Sequence, residues 1–272
     1  MKKLAVLLFF FLLTEYAKAG TTDTVEVYSN AMHKNIKCVI VKPSAYDEKS
    51  FRYPVVYLLH GYSGNYAQWI NTCPALATKA DEMNAIIVCP DGGFGSWYFD
   101  SPVDSSIRYE TFVSDELVSY IDAKYASIAD RRHRAITGLS MGGHGAMYLA
   151  IRHRDKYGAA GSTSGGVDFT PFPKNWDIAK DLGDYSSHQQ LWQQHTVISQ
   201  ANNLKNRELS IIVDCGIDDF FLQVNRNLHQ ALLEKKIDHD YIERPGGHDG
   251  PYWANSILYQ LLFFQQYFSG EK

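Results

Sequence analysis

Arg134-Ala135-Ile136-Thr137-Gly138-Leu139-Ser140-Met141-Gly142-Gly143-His144-Gly145-Ala146-Met147-Tyr148-Leu149-Ala150-Ile151 is the stretch that decides the fold. A short apolar strand, Arg134 to Thr137, runs into Gly-x-Ser-x-Gly and then into a helical run from His144 to Ile151. Such a motif alone occurs by chance, but between a strand and a helix it describes a sharp turn with a serine at its apex. That turn forces an unfavourable backbone on Ser140 and brings neighbouring chain close, so glycine is needed at 138, 142 and 143. A glycine-rich helix N-terminus that receives an anion is the competing reading of the same residues.

Outward from the turn, strand and helix patterns alternate. Val55-Val56-Tyr57-Leu58-Leu59, Ala85-Ile86-Ile87-Val88-Cys89 and Ile211-Ile212-Val213 are short apolar runs, the mark of strands covered on both faces. Phe112, Val113, Leu117, Val118 and Ile121 share one stripe of a helix, with Ser114, Asp115, Glu116 and Ser119 opposite. Residues 24–42 alternate apolar and polar around Ser29-Asn30, which predicts an antiparallel pair at the sheet edge. Trp253 to Phe268 reads as an amphipathic helix packed on the sheet, whereas residues 168–206 carry no strand pattern and read as a helical and loop insertion bordering the pocket. The expectation is an α/β fold: a mostly parallel central sheet, helices on both faces, and ligand loops at the carboxyl ends of the strands.

Length and composition suit one domain, since 272 residues at 45% hydrophobic content can bury one large core. Lys2 and Lys3 precede the apolar run Leu4 to Leu13, and Ala17-Lys18-Ala19 offers a small-x-small cleavage site. Residues 1–19 therefore read as a removed leader, with 20–272 as the domain and a secreted or periplasmic destination. The apolar run, about 10 residues, is shorter than the roughly 20 of a spanning helix, so no stable membrane insertion is expected. The formal charge is −4. Lys2, Lys3, Lys18 and Glu15 give the leader a net +2, so the remainder is near −6, without a basic concentration suited to nucleic acid. Cys38, Cys73, Cys89 and Cys215 permit disulfides in an oxidising compartment, and their spacing does not say which pair.

A serine hydroxyl needs a base to take its proton. His248, in Pro245-Gly246-Gly247-His248-Asp249-Gly250, follows the strand Asp240 to Glu243 and precedes the last helix. His60, His144 and His229 adjoin regular elements and read as structural. An acid between Ser140 and His248 in chain order is expected to hold the imidazole: Asp219 first, Asp218 second, and Asp214 as the outsider. Two main-chain N–H groups, of Met141 after the serine and of Tyr62 after His60-Gly61, are the expected oxyanion donors. Tyr62, Trp69, Trp97, Tyr98 and Trp253 fall near the pocket loops and could line it against an aromatic acyl group or a sugar, or pack in the core. The sequence carries no metal-ligand spacing and no dinucleotide fingerprint, so neither metal nor cofactor is expected.

Taken together, Leu58-Leu59-His60-Gly61-Tyr62-Ser63-Gly64-Asn65, Gly138 to Gly143, Cys215-Gly216-Ile217-Asp218-Asp219-Phe220 and Gly246-Gly247-His248 resemble the esterase D-like family of α/β-hydrolases, over roughly residues 24–268. That family includes S-formylglutathione hydrolases, tributyrin, feruloyl and acetylxylan esterases, and mycolyltransferases. Position by position, the resemblance implies Ser140 as nucleophile, Asp219 as acid, His248 as base and the Tyr62 and Met141 amides as oxyanion donors. The leader and the His60-Gly61 loop argue against a formylglutathione hydrolase. The resemblance implies an exported serine esterase acting on short-chain or carbohydrate-linked feruloyl or acetyl esters. A mycolyltransferase-type acyltransferase, a non-catalytic glycan-binding protein of the same fold and a serine peptidase are the alternatives, and oligomeric state is open.

Overall fold

The structure, a computed structural model, describes residues 20–271. The leader expected at 1–19 lies outside the described residues. Among the described residues no helix is long and apolar enough to cross a membrane.

Eight strands form one sheet: β1 (Thr21–Ser29), β2 (Lys34–Lys42), β3 (Val55–Leu59), β4 (Ile86–Pro90), β5 (Arg134–Gly138), β6 (Ala159–Thr163), β7 (Ser210–Gly216) and β8 (Asp240–Arg244). Their spatial order is β1-β2-β4-β3-β5-β6-β7-β8. β1 and β2 form the expected edge hairpin, Val25 opposite Cys38, and β2 runs antiparallel to β4. From β4 to β8 every neighbouring pair is parallel.

The apolar runs are buried on both faces because alternate residues of a strand point to opposite sides. Val55, Tyr57 and Leu59 of β3 join one core, with the helix Met141–Arg152 and the segment 109–124. Val56 and Leu58 join the other, under the helices Leu76–Met83 and Gly250–Ser269. Each side chain of this kind contributes about 1.5–3 kcal/mol on full burial.

Two elements differ from the sequence expectation. β6, Ala159–Thr163, is fully buried, yet its Ala, Gly, Ser and Thr side chains are too small and polar to mark a strand in the sequence. The helical stripe at 112–121 is buried as expected, but Ser114 is buried with it. Phe112–Leu117 is a π-helical turn, whose wider turn carries Ser114 off the polar face. Residues 168–206 hold the helices Ile178–Leu182, Tyr185–Gln194 and Val197–Gln200 and no strand. All four cysteines are buried free thiols, and burial pushes the Cys38, Cys89 and Cys215 thiols well above their ordinary range.

Candidate active site

The loops that follow β3, β5, β7 and β8 converge at the carboxyl end of the parallel strands. Ser140 sits between β5 and the helix Met141–Arg152 at φ +56°, ψ −118°. This non-glycine conformation costs about 1–3 kcal/mol. It is held by Ser140 N–H donating to Thr163 O at 2.9 Å and Gly142 N–H donating to Leu139 O at 2.7 Å. The flanking glycines serve close approach. A Cβ on Gly138 would lie 2.5 Å from the Gly142 carbonyl, and one on Gly142 would be 2.6 Å from His60 O.

His248 Nε2 lies 2.9 Å from Ser140 Oγ, and His248 Nδ1 lies 2.9 Å from Asp219 Oδ2. A carboxylate only accepts, so Nδ1 carries the ring proton and Nε2 turns its lone pair to the serine hydroxyl. Asp219 Oδ1 accepts from Phe221 N–H at 2.8 Å, and the Asp219 side chain has no exposed surface. Asp218 is exposed, with its amide tied to Gly246 O at 3.0 Å. Asp214 lies in the interior, taking the hydroxyls of Tyr252 at 2.6 Å and Ser256 at 2.8 Å and an ion pair from Arg244. Of the three aspartates weighed from the sequence, the structure brings Asp219 to His248.

Asp214 belongs to a buried polar chain beneath the site. Thr137 on β5 bonds Gln260, whose Nε2 donates to Thr163 Oγ1 at 2.6 Å; Thr163 meets Ser256 at 2.9 Å, and Ser256 donates to Asp214. β5, β6, β7 and β8 are thereby fixed to the helix that starts just after His248. Asp249 caps that helix, accepting from Tyr252 N–H at 2.9 Å. The His248 loop is anchored at both ends.

After β3, His60 is buried and organises the next turn. Its Nε2 accepts from Gly92 N–H at 2.7 Å, so its Nδ1 donates to Gly61 O at 2.8 Å. Gly61 N–H is taken by Gln68 Oε1 at 2.8 Å and Ser63 N–H by Phe94 O at 2.7 Å. Among the described residues no turn or loop hydrogen bond uses the amides of Tyr62 or Met141, and Met141 is the first residue of its helix, where N–H groups lack intrahelical acceptors.

A cleft of about 150 Å³ opens above Ser140 and His248, bounded by Tyr62, Gln68, Trp176, Phe220 and Trp253. Of the aromatic residues singled out from the sequence, Tyr62 and Trp253 line it. The others require correction. Trp69, Trp97 and Tyr98 are at most 1% exposed, and each spends its polar atom on an interior carbonyl: Leu59 O at 2.9 Å, Trp176 O at 3.2 Å and His60 O at 3.1 Å. They brace the loops from behind. In their place stand Trp176, from the insertion, and Phe220, whose ring lies 4.2 Å from that of His248 and stacks at 5.8 Å on Trp176. Phe220 adjoins Asp219, which is a readable signal; Trp176 and Gln68 have none.

A serine on a strained elbow after β5, in a sheet of this strand order, is the arrangement of the α/β-hydrolases, and the chain is a protein of that class. The family model described as "Putative esterase" matches residues 29–264, and the chain belongs to that family. It is 27% identical over 254 residues to an acetyl esterase of Caldicellulosiruptor saccharolyticus, covering 86% of this chain and 94% of the relative. It is 30% identical over 240 residues to an esterase of Mycobacterium tuberculosis, covering 77% of this chain and 51% of that protein. A solved ferulic acid esterase superposes with a TM-score of 0.78 at 29% identity, over 92% of this chain and all of the other.

Proposed function

We propose that this chain is an exported serine esterase that hydrolyses short-chain or carbohydrate-linked carboxylic esters through an acyl-enzyme. The observation that carries the reading is the hydrogen-bonded line Ser140 Oγ, His248, Asp219 at the floor of an aromatic cleft. Similarity to acetyl and ferulic acid esterases supports the choice of esters, and the leader-like residues 1–19 support export.

His248 Nε2 takes the proton of Ser140 as Oγ attacks the ester carbonyl, and Asp219 stabilises the imidazolium that forms. The carbonyl oxygen, now an anion, is received by the Tyr62 and Met141 amides; such a donor is worth about 2.7–4 kcal/mol in the transition state. His248 returns its proton to the departing alcohol, leaving the acyl group on Ser140. Water then repeats the attack with His248 as base, and the carboxylic acid leaves. Packing of Phe220 and Trp253 against His248 keeps bulk water from the ring and strengthens its polar contacts.

The test is hydrolysis of p-nitrophenyl acetate, p-nitrophenyl butyrate and methyl ferulate by residues 20–272, with Ser140→Ala as control. Activity that disappears in the variant supports the esterase, and the ranking of substrates selects the acyl group. An inactive parent protein favours a transferase or a binding protein. N-terminal sequencing of protein recovered after expression of the full chain tests removal of the leader.

A further inference from the structure

A second cleft, of about 310 Å³, is not used by the reaction above. Its walls come from the loop after β4, from the start of β2 and from the helix Ile178–Leu182 with the preceding Asp177. Tyr62, in the wall of the Ser140 cleft, touches two residues of this second lining. The Tyr62 ring lines the Ser140 cleft, packs edge-on against Phe94 at 4.9 Å, and donates its hydroxyl to Asp177 Oδ2 at 2.8 Å. Phe94 and Asp177 belong to the second cleft.

Asp181 lines this cleft at 2% exposure, and its Oδ2 meets no donor. Burial, with the nearby charges of Asp104 and Asp177, pushes its carboxyl up to about 7. A buried acceptor left unpaired costs about 1–3 kcal/mol, so it calls for a ligand that donates to it. Among the described residues no group of three or more His, Cys, Asp or Glu side chains is arranged to hold a metal ion. Lys180 Nζ pairs with Asp177 at 3.1 Å, and Lys34 Nζ donates to the Tyr109 hydroxyl at 3.2 Å and lies 5.0 Å over the Tyr109 ring, so each ammonium, with three N–H groups, keeps donors for a ligand. The two ammonium groups face the carboxylates of Asp104 and Asp177 in the same lining, so the cleft carries little net charge and a charged ligand gains little from it. A neutral ring bearing several hydroxyls gains donors from the ammonium groups, acceptors from Asp181 and Asp104, and an apolar face from Phe94, 62% exposed.

We propose that this cleft is a subsite for a sugar ring, the alcohol half of an ester whose acyl group lies against Ser140. The assignment rests on the esterase reading and deepens it, because Tyr62 connects the two clefts.

The test compares kcat/KM on p-nitrophenyl acetate with that on acetylated xylo-, gluco- and galacto-oligosaccharides, for the parent protein, Phe94→Ala and Asp181→Leu. Melting curves check that Phe94→Ala and Asp181→Leu both fold. The expected result is a loss of about tenfold or more on at least one sugar ester, carried by KM, as one lost hydrogen bond or stacking face implies, with p-nitrophenyl acetate within about twofold of the parent. Unchanged sugar-ester rates in both variants, or equal losses on both substrate types, overturn the subsite. A parent protein inert towards every ester overturns the esterase reading instead. Saturation-transfer NMR with the free oligosaccharides and the Ser140→Ala protein then reads the subsite alone: signals that vanish when Asp181→Leu is added support it, and absent or unaltered signals refute it.

Discussion

Replacing Asp181 by asparagine is expected to stabilise the protein, by an amount that grows with pH. The carboxyl is 2% exposed with an unpaired Oδ2, and its pKa is raised to about 7, against about 3.9 for aspartate in an unfolded chain. A carboxyl whose folded pKa is raised keeps its proton in the native state while the unfolded chain has already lost it. Its stabilising contribution is complete below about pH 4 and is lost as pH rises through 7. The difference of about three units corresponds to about 4 kcal/mol, at about 1.36 kcal/mol per unit. Asparagine ionises at no pH, so the gap between Asp181→Asn and the parent should widen by about 1.4 kcal/mol per unit between pH 4 and 7 and then level off. For a domain of this size, each kcal/mol moves Tm by about 2–4 °C, which gives a ceiling of about 8–16 °C above pH 7. Urea unfolding of both proteins at pH 5, 6, 7 and 8 measures the gap directly. A constant gap, or a variant less stable than the parent at pH 8, refutes the reasoning, because it would mean that the native carboxyl is already ionised and partnered.

The neighbouring carboxylates of the β7 loop should separate cleanly. Asp219→Asn removes the acceptor that fixes the His248 tautomer and is expected to lower kcat by about 10⁴ with little change in KM, on the serine-protease precedent, whereas exposed Asp218→Asn should stay near the parent; steady-state kinetics on p-nitrophenyl acetate decide it. Asp214→Ala strands the Arg244 guanidinium and the hydroxyls of Tyr252 and Ser256, and should cost about 3–5 kcal/mol in urea unfolding. A loss below about 1 kcal/mol would show that the polar chain from Thr137 to Asp214 does not anchor the His248 loop.

The elbow at Ser140 was legible because its cause is local. Glycines at 138 and 142 are demanded by the turn itself and by the adjacent end of β3, Gly143 by β6 and the chain just after it, and the apolar runs of β3, β4, β5 and β7 announce strands covered on both faces. β6 was not legible, since a strand flanked by the Met141–Arg152 helix and by Gln260 admits only small side chains, and small side chains carry no pattern. Chain order pointed to His248 and to an aspartate near 219.

By itself, then, the sequence determined the alternation of strand and helix, the serine turn and the loop from which an imidazole comes, because each follows from contacts between near neighbours. The sequence ranked Asp219 ahead of Asp218, and tertiary structure supplies the physical reason that this carboxylate meets the imidazole. Asp218 and Asp219 are adjacent in the chain, and only the turn that ties Asp218 N–H to Gly246 O and Asp219 N–H to Gly216 O sends one carboxylate out to solvent and the other to His248. Tertiary structure also decided that Trp69, Trp97 and Tyr98 brace the core while Trp176 and Phe220 face the cleft. An aromatic ring gains from burial wherever a cavity fits it, and which cavity that is depends on residues far apart in the chain.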